Sequence, residues 1–339
     1  MIPNINISFR TATANAIKRS DRGIVGLVVR GGTTSRLVCY TNANEIIASD
    51  MSAEDLTFIK NAFIGGERAP KAVVVAIIPA INDLNKTNIK DGLAMISSSD
   101  YKPNWIALPP NATKEDYNSL EAWIAIERDV FHNTVKAVAF KHAANCEAIV
   151  NLTNGMADLT ARIAGLLAGT PVTSSISYAL LSDVIVDAMT EENMDIAIAA
   201  HELIFIRTKA GARMSSGICS DGSKIRAVEI KDLLSDTIKD LLEEKRLGKL
   251  QNTYDGKRIL ISDIKSILTE FETEGLIDFG SVIDIDIVAQ TVYLKSQGVA
   301  TNELSDIQIR EYNTGDKVFL YMQISINDVI EVINLVVNI

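Results

Sequence analysis

The sequence predicts an α/β domain with a mostly parallel sheet, followed by an α+β domain, and three observations predict it. Residues 51–195 alternate short apolar runs with helical patterns, which is typical of a parallel sheet covered by helices. The run KAVVVAII at residues 71–78 is continuously apolar, as in a strand buried on both faces, and indicates three layers. After residue 195 the pattern changes to long amphipathic helices and then to strand-like segments.

The N-terminal third begins with extended segments. Ile5, Ile7 and Phe9 alternate with polar residues, the period of a strand with one buried face. A buried strand is predicted at residues 23–29, after a basic stretch. Ser52 is a helix N-cap followed by acidic residues, and that helix is expected to end near Gly65.

The rest of the α/β domain follows the same alternation. We predict a short helix at 88–95, a strand at 104–108, a helix capped by Thr113 and reaching about Asp129, a strand at 135–140, and a helix at 151–167.

The C-terminal region is predicted to be α+β. It has a strand at 201–207, a basic loop at 208–223, an amphipathic helix at 228–249, and a helix at 263–274 capped by Ser262. Strands are predicted at 281–288, 289–294, 307–312 and within 318–339.

The last eight residues carry no side-chain charge and no proline or glycine. A β-forming terminus of this kind needs a partner, because a free strand edge promotes aggregation. Two partners remain open: the chain's own sheet, or strand addition to a neighbouring copy. Under the second reading the pairing residues are Asn4, Ile5, Ile7, Phe9, Val332, Ile333, Leu335, Val336, Val337 and Ile339.

Composition excludes several classes of protein. The chain is 47% hydrophobic, which argues against general disorder, and its net charge of −10 disfavours general nucleic-acid binding. Segments of opposite net charge alternate along the chain, which suits self-association. No apolar run approaches the length of a membrane span, and the N-terminus lacks the order of a secretory signal. The three cysteines fit neither a disulfide framework nor a zinc site.

Catalytic motifs are weak. The available bases are His132, His142 and His201, and the serines of residues 174–177 do not form a G-x-S-x-G turn. Neither a phosphate-binding loop nor a metal-ligand spacing is present. We therefore expect no catalytic residue, no cofactor and no metal, and keep an α/β hydrolase-like enzyme with an oligomerisation tail as the alternative.

Several stretches resemble the contractile phage tail sheath family, particularly the short sheaths of Gram-positive myophages, defective prophages and R-type bacteriocins. They are PNINISF with AIKRSDRGIVGLVV near the start, YKPNWIALPP through VKAVAF in the middle, ARIAGLLAGTPVTSSISY at 161–178, and VFLYMQISINDVIEVINLVVNI at the end. The stretch at 161–178 is the most specific of these. The resemblance spans nearly the whole chain.

The resemblance implies a structural subunit that stacks as hexameric rings around an inner tube and contracts to drive the tube through a target envelope. It implies an N-terminal arm (1–22), an α/β outer domain (23–195), a C-terminal α+β inner domain (196–325) and a C-terminal strand arm (326–339). Arms of adjacent subunits would add strands to a sheet in a third.

The implied partners are other copies of the chain, the tail tube protein, and baseplate and tail terminator proteins, without direct nucleic-acid or membrane contact. The particle would be a virion or a phage-tail-like particle assembled in the bacterial host cytoplasm. Candidate contacts to the tube or a neighbour are the basic residues Arg207, Lys209, Arg213, Lys245, Arg246 and Lys249.

Overall fold

The computed structural model describes residues 23–46, 51–80, 88–331 and 333–336. The chain divides into two compact units. Unit 1 comprises the described part of Met1–Glu229 together with the described part of Glu331–Ile339, and unit 2 is Ile230–Ile330. The chain therefore leaves unit 1, forms unit 2, and returns to unit 1 at Glu331.

Unit 1 is built on a six-stranded sheet. Its strands are β1 (Ile24–Gly32), β2 (Arg36–Tyr40), β3 (Ala72–Pro79), β4 (Trp105–Ala107), β5 (Lys136–Phe140) and β6 (Ile149–Leu152). Their order is β2-β3-β1-β4-β5-β6. β2 runs antiparallel to β3, and the other pairings are parallel, with Val25 opposite both Val73 and Trp105. The sheet is thus mixed and mostly parallel, as predicted.

Helices cover this sheet. They are α1 (Ala53–Ile64), α2 (Ile89–Ser97), α3 (Lys114–Asp129) and α4 (Leu159–Ala168). Leu27 of β1 shares a buried cluster with residues of α1 and α4, whereas Val28 shares another with residues of α2 and α3. Successive residues of a strand point to opposite faces, so the two clusters use the two faces of β1.

Local signals explain the helix boundaries. The Ser52 hydroxyl accepts the Asp55 amide at 3.1 Å, and Gly65 ends α1 with a φ of +68°, which glycine adopts readily. Thr113 and Asp116 form a reciprocal capping box at the start of α3. A Cβ on Gly165 of α4 would lie 2.0 Å from the Ala62 carbonyl oxygen of α1, so this glycine permits close helix packing.

A small antiparallel sheet completes unit 1. Its strands are β7 (Leu180–Leu181), β8 (Phe205–Thr208) and β9 (Gly211–Met214), in the order β7-β9-β8, and α5 spans Glu191–Ala199. Phe205 and Met214 are fully buried in the same cluster as α1 and α4. The small sheet therefore extends the core of the large one.

Unit 2 contains helices and a two-stranded sheet. Helix α6 (Ile225–Lys245) begins in unit 1 and leads into unit 2, where α7 (Tyr254–Thr273), β10 (Val282–Ile285), α8 (Ile287–Ser296), α9 (Asp306–Glu311) and β11 (Leu320–Gln323) follow. Short 3₁₀ turns lie at Thr301–Glu303 here and at Ala43–Glu45 in unit 1. β10 and β11 are antiparallel, with Val282 opposite Gln323. The division between the two units falls within α6, after Glu229. The domain boundaries predicted from the sequence remain a prediction.

Four sequence predictions of secondary structure are wrong, and one of them is the loop predicted at 208–223, which contains β9. Residues 289–294 lie in α8 and residues 307–311 lie in α9 rather than in strands, because Asp286 and Ser305 cap those helices. The helix predicted at 151–167 begins at Leu159, because residues up to Leu152 form β6. The strand structure predicted within 318–339 is observed as β11, the one strand that the structure shows among the described residues of that range.

Candidate assembly interface at the C-terminal segment

The described C-terminal segment has large exposed apolar side chains. Ile330, Ile333, Leu335 and Val336 are 80–84% exposed. Exposed apolar residues scattered singly are ordinary, but a run of them along one segment indicates an interaction site. The structure therefore presents the predicted strand-addition residues Ile333, Leu335 and Val336 to solvent, while Asn4, Ile5, Ile7, Phe9, Val332, Val337 and Ile339 lie outside the described residues.

The segment is tethered to unit 2 just after β11. Ile326 forms an antiparallel bridge with Ile277, and the Asn327 amide donates to the Leu276 carbonyl at 3.0 Å. These backbone hydrogen bonds fix the path of the chain up to residue 327. Beyond it, the exposed run begins.

Glu331 interrupts the exposed run with a polar anchor on unit 1. Its Oε1 accepts a hydrogen bond from the Ser177 hydroxyl at 2.5 Å, and its Oε2 forms an ion pair with the Lys224 ammonium. The Glu331 side chain is 27% exposed, although the residue as a whole is exposed like its apolar neighbours. Burial works to raise the pKa of Glu331, but the hydrogen bonds from Lys224 and Ser177 outweigh it and hold that pKa below its usual value.

Ser177 is itself held in place. Its hydroxyl oxygen accepts the Gly217 amide at 2.9 Å and the Ser175 hydroxyl at 3.0 Å, so its single proton is directed to Glu331. A Cβ on Gly217 would lie 3.0 Å from the Ser175 oxygen, which is tighter than ordinary contact. We call Ser177, Lys224 and Glu331 the arm clamp.

An apolar groove lies beside the two-stranded sheet of unit 2. It has a volume of about 510 Å³ and runs between α6 and the β11 region. Leu234, Ile238 and Leu242 line the helix side, and Met322 and Ile324 line the other. Among the described residues β11 has a single strand neighbour, β10, so its second edge is available for pairing.

The basic candidate residues fall into two places. Arg207 and Lys209 are exposed on the β8–β9 hairpin, where the Arg213 guanidinium donates to the Tyr178 carbonyl at 2.8 Å and lies over the Tyr178 ring. Arg213 is therefore engaged within its own subunit, and Arg207 and Lys209 are better placed to meet another molecule.

The second basic place is the end of α6. Lys245 is exposed, whereas the Arg246 guanidinium donates to both carboxylate oxygens of Asp263, at 2.6 and 3.0 Å. The Lys249 ammonium donates to the Glu244 carbonyl at 2.5 Å. Arg246 thus joins the end of α6 to α7, and Lys245 projects to solvent.

The serines considered as nucleophiles have other partners. Ser175 and Ser177 belong to the arm clamp region, and the Ser177 proton goes to a carboxylate instead of a histidine. The His142 Nε2 lies 2.9 Å from Glu121 Oε2, and His142 stacks on Tyr117. In the part of the chain that the structure describes, no cluster of three or more His, Cys, Asp or Glu could hold a metal ion.

Sequence reasoning missed the arm clamp. Its members are separated by 154 and 107 positions, so no local pattern connects them. Two signals were available: Ser177 lies in the most specific motif, and Glu331 is the last charged side chain of the sequence.

None of the helices among the described residues combines the length and the apolarity needed to span a membrane.

Comparisons with known proteins identify relatives of this chain. No family model matches the chain. The tail sheath protein of Clostridium phage phiCD119 is 30% identical over 352 aligned residues, covering 98% of this chain and 98% of that protein.

Solved structures share the fold. The sheath tail protein from Desulfitobacterium hafniense has a TM-score of 0.64 at 14% identity, covering 84% of this chain and 94% of that one. The sheath tail protein from Listeria innocua gives 0.63 at 11% identity, with coverage of 92% and 97%. The contracted helical sheath of the anti-feeding prophage gives 0.65 at 11% identity, with coverage of 100% and 99%. The 30% identity to a tail sheath protein across nearly the whole chain shows that this chain belongs to the tail sheath protein family.

Proposed function

We propose that this chain polymerises as stacked hexameric rings around an inner tube and contracts to drive that tube through a target cell envelope. The observation that carries the proposal is the apolar C-terminal segment, left 80–84% exposed in a chain of the tail sheath family. A soluble subunit with such a segment gains stability when a neighbour covers it.

Strand addition is the mode of contact that the segment fits. Ile333, Leu335 and Val336 are β-forming residues, and a Val- and Leu-rich segment can pair through its backbone while its side chains enter apolar pockets. The second edge of β11 and the adjacent groove offer both features on unit 2. We propose that this edge receives an arm from another copy.

Such a contact builds a polymer. The donated arm and the receiving edge are different surfaces, so the interface is heterologous and does not close on itself unless geometry makes a ring. Rings that pass arms to the next ring would remain linked while subunits move. The alternating charge of the sequence supports contacts between unlike faces.

The finer features belong to the same proposal. Two buried clusters on opposite faces of β1 support a three-layer outer domain, and residues 1–22 and 326–339 are the proposed arms. The exposed cations Arg207, Lys209 and Lys245 are proposed contacts to a tube protein or a neighbouring subunit. Baseplate and terminator proteins would bound the polymer, which would be assembled in the host cytoplasm as part of a virion or tail-like particle.

The role is structural and requires no catalysis. The hydroxyl and carboxyl groups of Ser177 and Glu331 bind each other, and no observation favours the hydrolase alternative. Energy for contraction would come from the difference in packing between two arrangements of subunits.

Electron microscopy of the purified chain tests the proposal. Negative staining should show rings, tubes or contracted sheath-like polymers, and removing residues 332–339 should abolish them while leaving a folded subunit. Compact particles alone, in full-length and truncated protein alike, would overturn it.

A further inference from the structure

Glu331 binds unit 1 through two specific partners. It accepts from Ser177 and pairs with Lys224, whereas Ile330 and Ile333 on either side are more than four-fifths exposed. A hydrogen-bonded and ion-paired residue between exposed apolar neighbours is the arrangement expected of an anchor.

The partners are prepared to receive that carboxylate. The Ser177 hydroxyl uses both of its acceptor positions on Gly217 and Ser175, which leaves its proton for Glu331. Lys224 immediately precedes α6 and forms an antiparallel bridge with Ile218, so its backbone is fixed. The clamp thus joins the chain's last charge to a rigid part of unit 1.

Two serines of the clamp region lie in a sequence stretch already noted above. Ser175 and Ser177 lie in the stretch at 161–178 that most resembles sheath proteins, yet strand addition by the arm does not require them. A hydroxyl that binds the base of the arm explains why serines stand there.

We infer that the arm clamp of Ser177, Lys224 and Glu331 positions the C-terminal arm, fixing where the arm leaves unit 1 before it reaches a neighbouring copy. This inference rests on the proposed function, because positioning matters only if the arm is donated. An arm anchored at its base samples fewer orientations and loses less conformational freedom on pairing. Glu331 is therefore a positioning residue and Ile333, Leu335 and Val336 are the binding residues.

The experiment compares Glu331→Ala and Lys224→Met with the matched control Glu192→Ala, an exposed glutamate of α5. Two measurements are made on each protein: the ¹H–¹⁵N nuclear Overhauser effect of the 333–336 amides in the unpolymerised subunit, which reports how freely the segment moves, and the critical concentration for polymerisation. Each clamp variant should lower this effect and raise the critical concentration about tenfold, because a hydrogen bond to a charged group is lost. The control should match the wild-type chain.

A charge exchange separates positioning from general damage. The double variant Lys224→Glu with Glu331→Lys restores the ion pair but not the hydrogen bond from Ser177, and should recover part of the lost polymerisation. If either single clamp variant unfolds, the charge-exchange variant and the other single variant still test whether the clamp positions the arm.

The outcomes distinguish the two proposals. A wild-type chain that never polymerises refutes the proposed function, and the mobility measurement on the 333–336 amides then still tests the clamp. A wild-type chain that polymerises, with clamp variants whose 333–336 amides move and whose subunits polymerise like the control, refutes the inference and leaves the proposed function intact.

Discussion

Replacing Val336 with aspartate should block polymerisation without unfolding the subunit. The side chain is 83% exposed in the isolated chain, so the change should alter the free energy of unfolding by no more than about 0.5 kcal/mol. In a strand-added arm the same side chain would be buried. Fully burying a valine contributes about 1.5–3 kcal/mol, and a buried unpaired carboxylate costs several kcal/mol more. Since about 1.4 kcal/mol is tenfold in affinity, the critical concentration should rise at least about 100-fold.

The assay is sedimentation of polymer against total protein concentration, with thermal unfolding of the soluble subunit measured in parallel. Val336→Thr is the matched control, because threonine keeps the β-branched shape without a charge and should raise the critical concentration less than about tenfold. Polymerisation of the aspartate variant at the wild-type concentration would refute the reasoning. So would a large fall in its melting temperature, because Val336 would then belong to the core of its own subunit.

Three further predictions concern the subunit itself. Gly165→Ala should destabilise unit 1 by about 1–3 kcal/mol in urea unfolding, because the added Cβ would lie 2.0 Å from the Ala62 carbonyl oxygen. An unchanged free energy of unfolding would mean that α1 and α4 can separate to make room for the methyl group. Asp116→Asn should cost about 3–5 kcal/mol, because the Arg30 side chain paired with it is 5% exposed, and an unchanged urea midpoint would contradict this. Burial works to raise the pKa of Asp116, but the hydrogen bonds from Arg30 and Thr113 outweigh burial and lower that pKa. The stability that the Arg30–Asp116 pair contributes should therefore be present near neutral pH and be lost as the pH falls below about 4. The Asn variant should not show this loss of stability at low pH. Lys257→Met should destabilise unit 2 by about 1–3 kcal/mol, because the Lys257 ammonium donates to the Arg310 and Tyr312 carbonyls at the end of α9. A variant as stable as the wild-type chain would show that those carbonyls find other donors.

The sequence predicted the parts of the fold that depend on local signals. The β-branched run at 71–78 became β3, and the side chains of Ser52 and Thr113 cap α1 and α3 as expected. These predictions succeeded because a cap or a buried strand is specified by residues only a few positions apart.

The errors have a physical cause in tertiary context. The stretch at 289–294 contains threonine, valine and tyrosine, which favour strands, but Asp286 caps a helix whose Gln290 is fully buried. Leu152 was placed at the start of a helix, although its parallel pairing with Phe140 makes it part of β6. Strand pairing therefore overrides the local helical pattern at Leu152, and helix capping overrides the strand preference at 289–294.

The candidate site was predicted only in part. The uncharged terminus indicated that Ile333, Leu335 and Val336 need a partner, and the structure leaves these side chains exposed. The arm clamp could not be predicted, because Ser177 and Glu331 are 154 positions apart and meet only when the chain returns to unit 1. The groove beside β11 likewise depends on how α6 lies against Met322 and Ile324.

A helical reconstruction of the assembled polymer by electron microscopy is the most direct test of arm donation. We predict that residues 333–336 of one subunit form a strand on the β10–β11 sheet of another subunit, with Glu331 still bound to Ser177 and Lys224 of its own unit 1. A polymer in which these residues fold back onto their own subunit, or in which subunits meet without any shared strand, would contradict it.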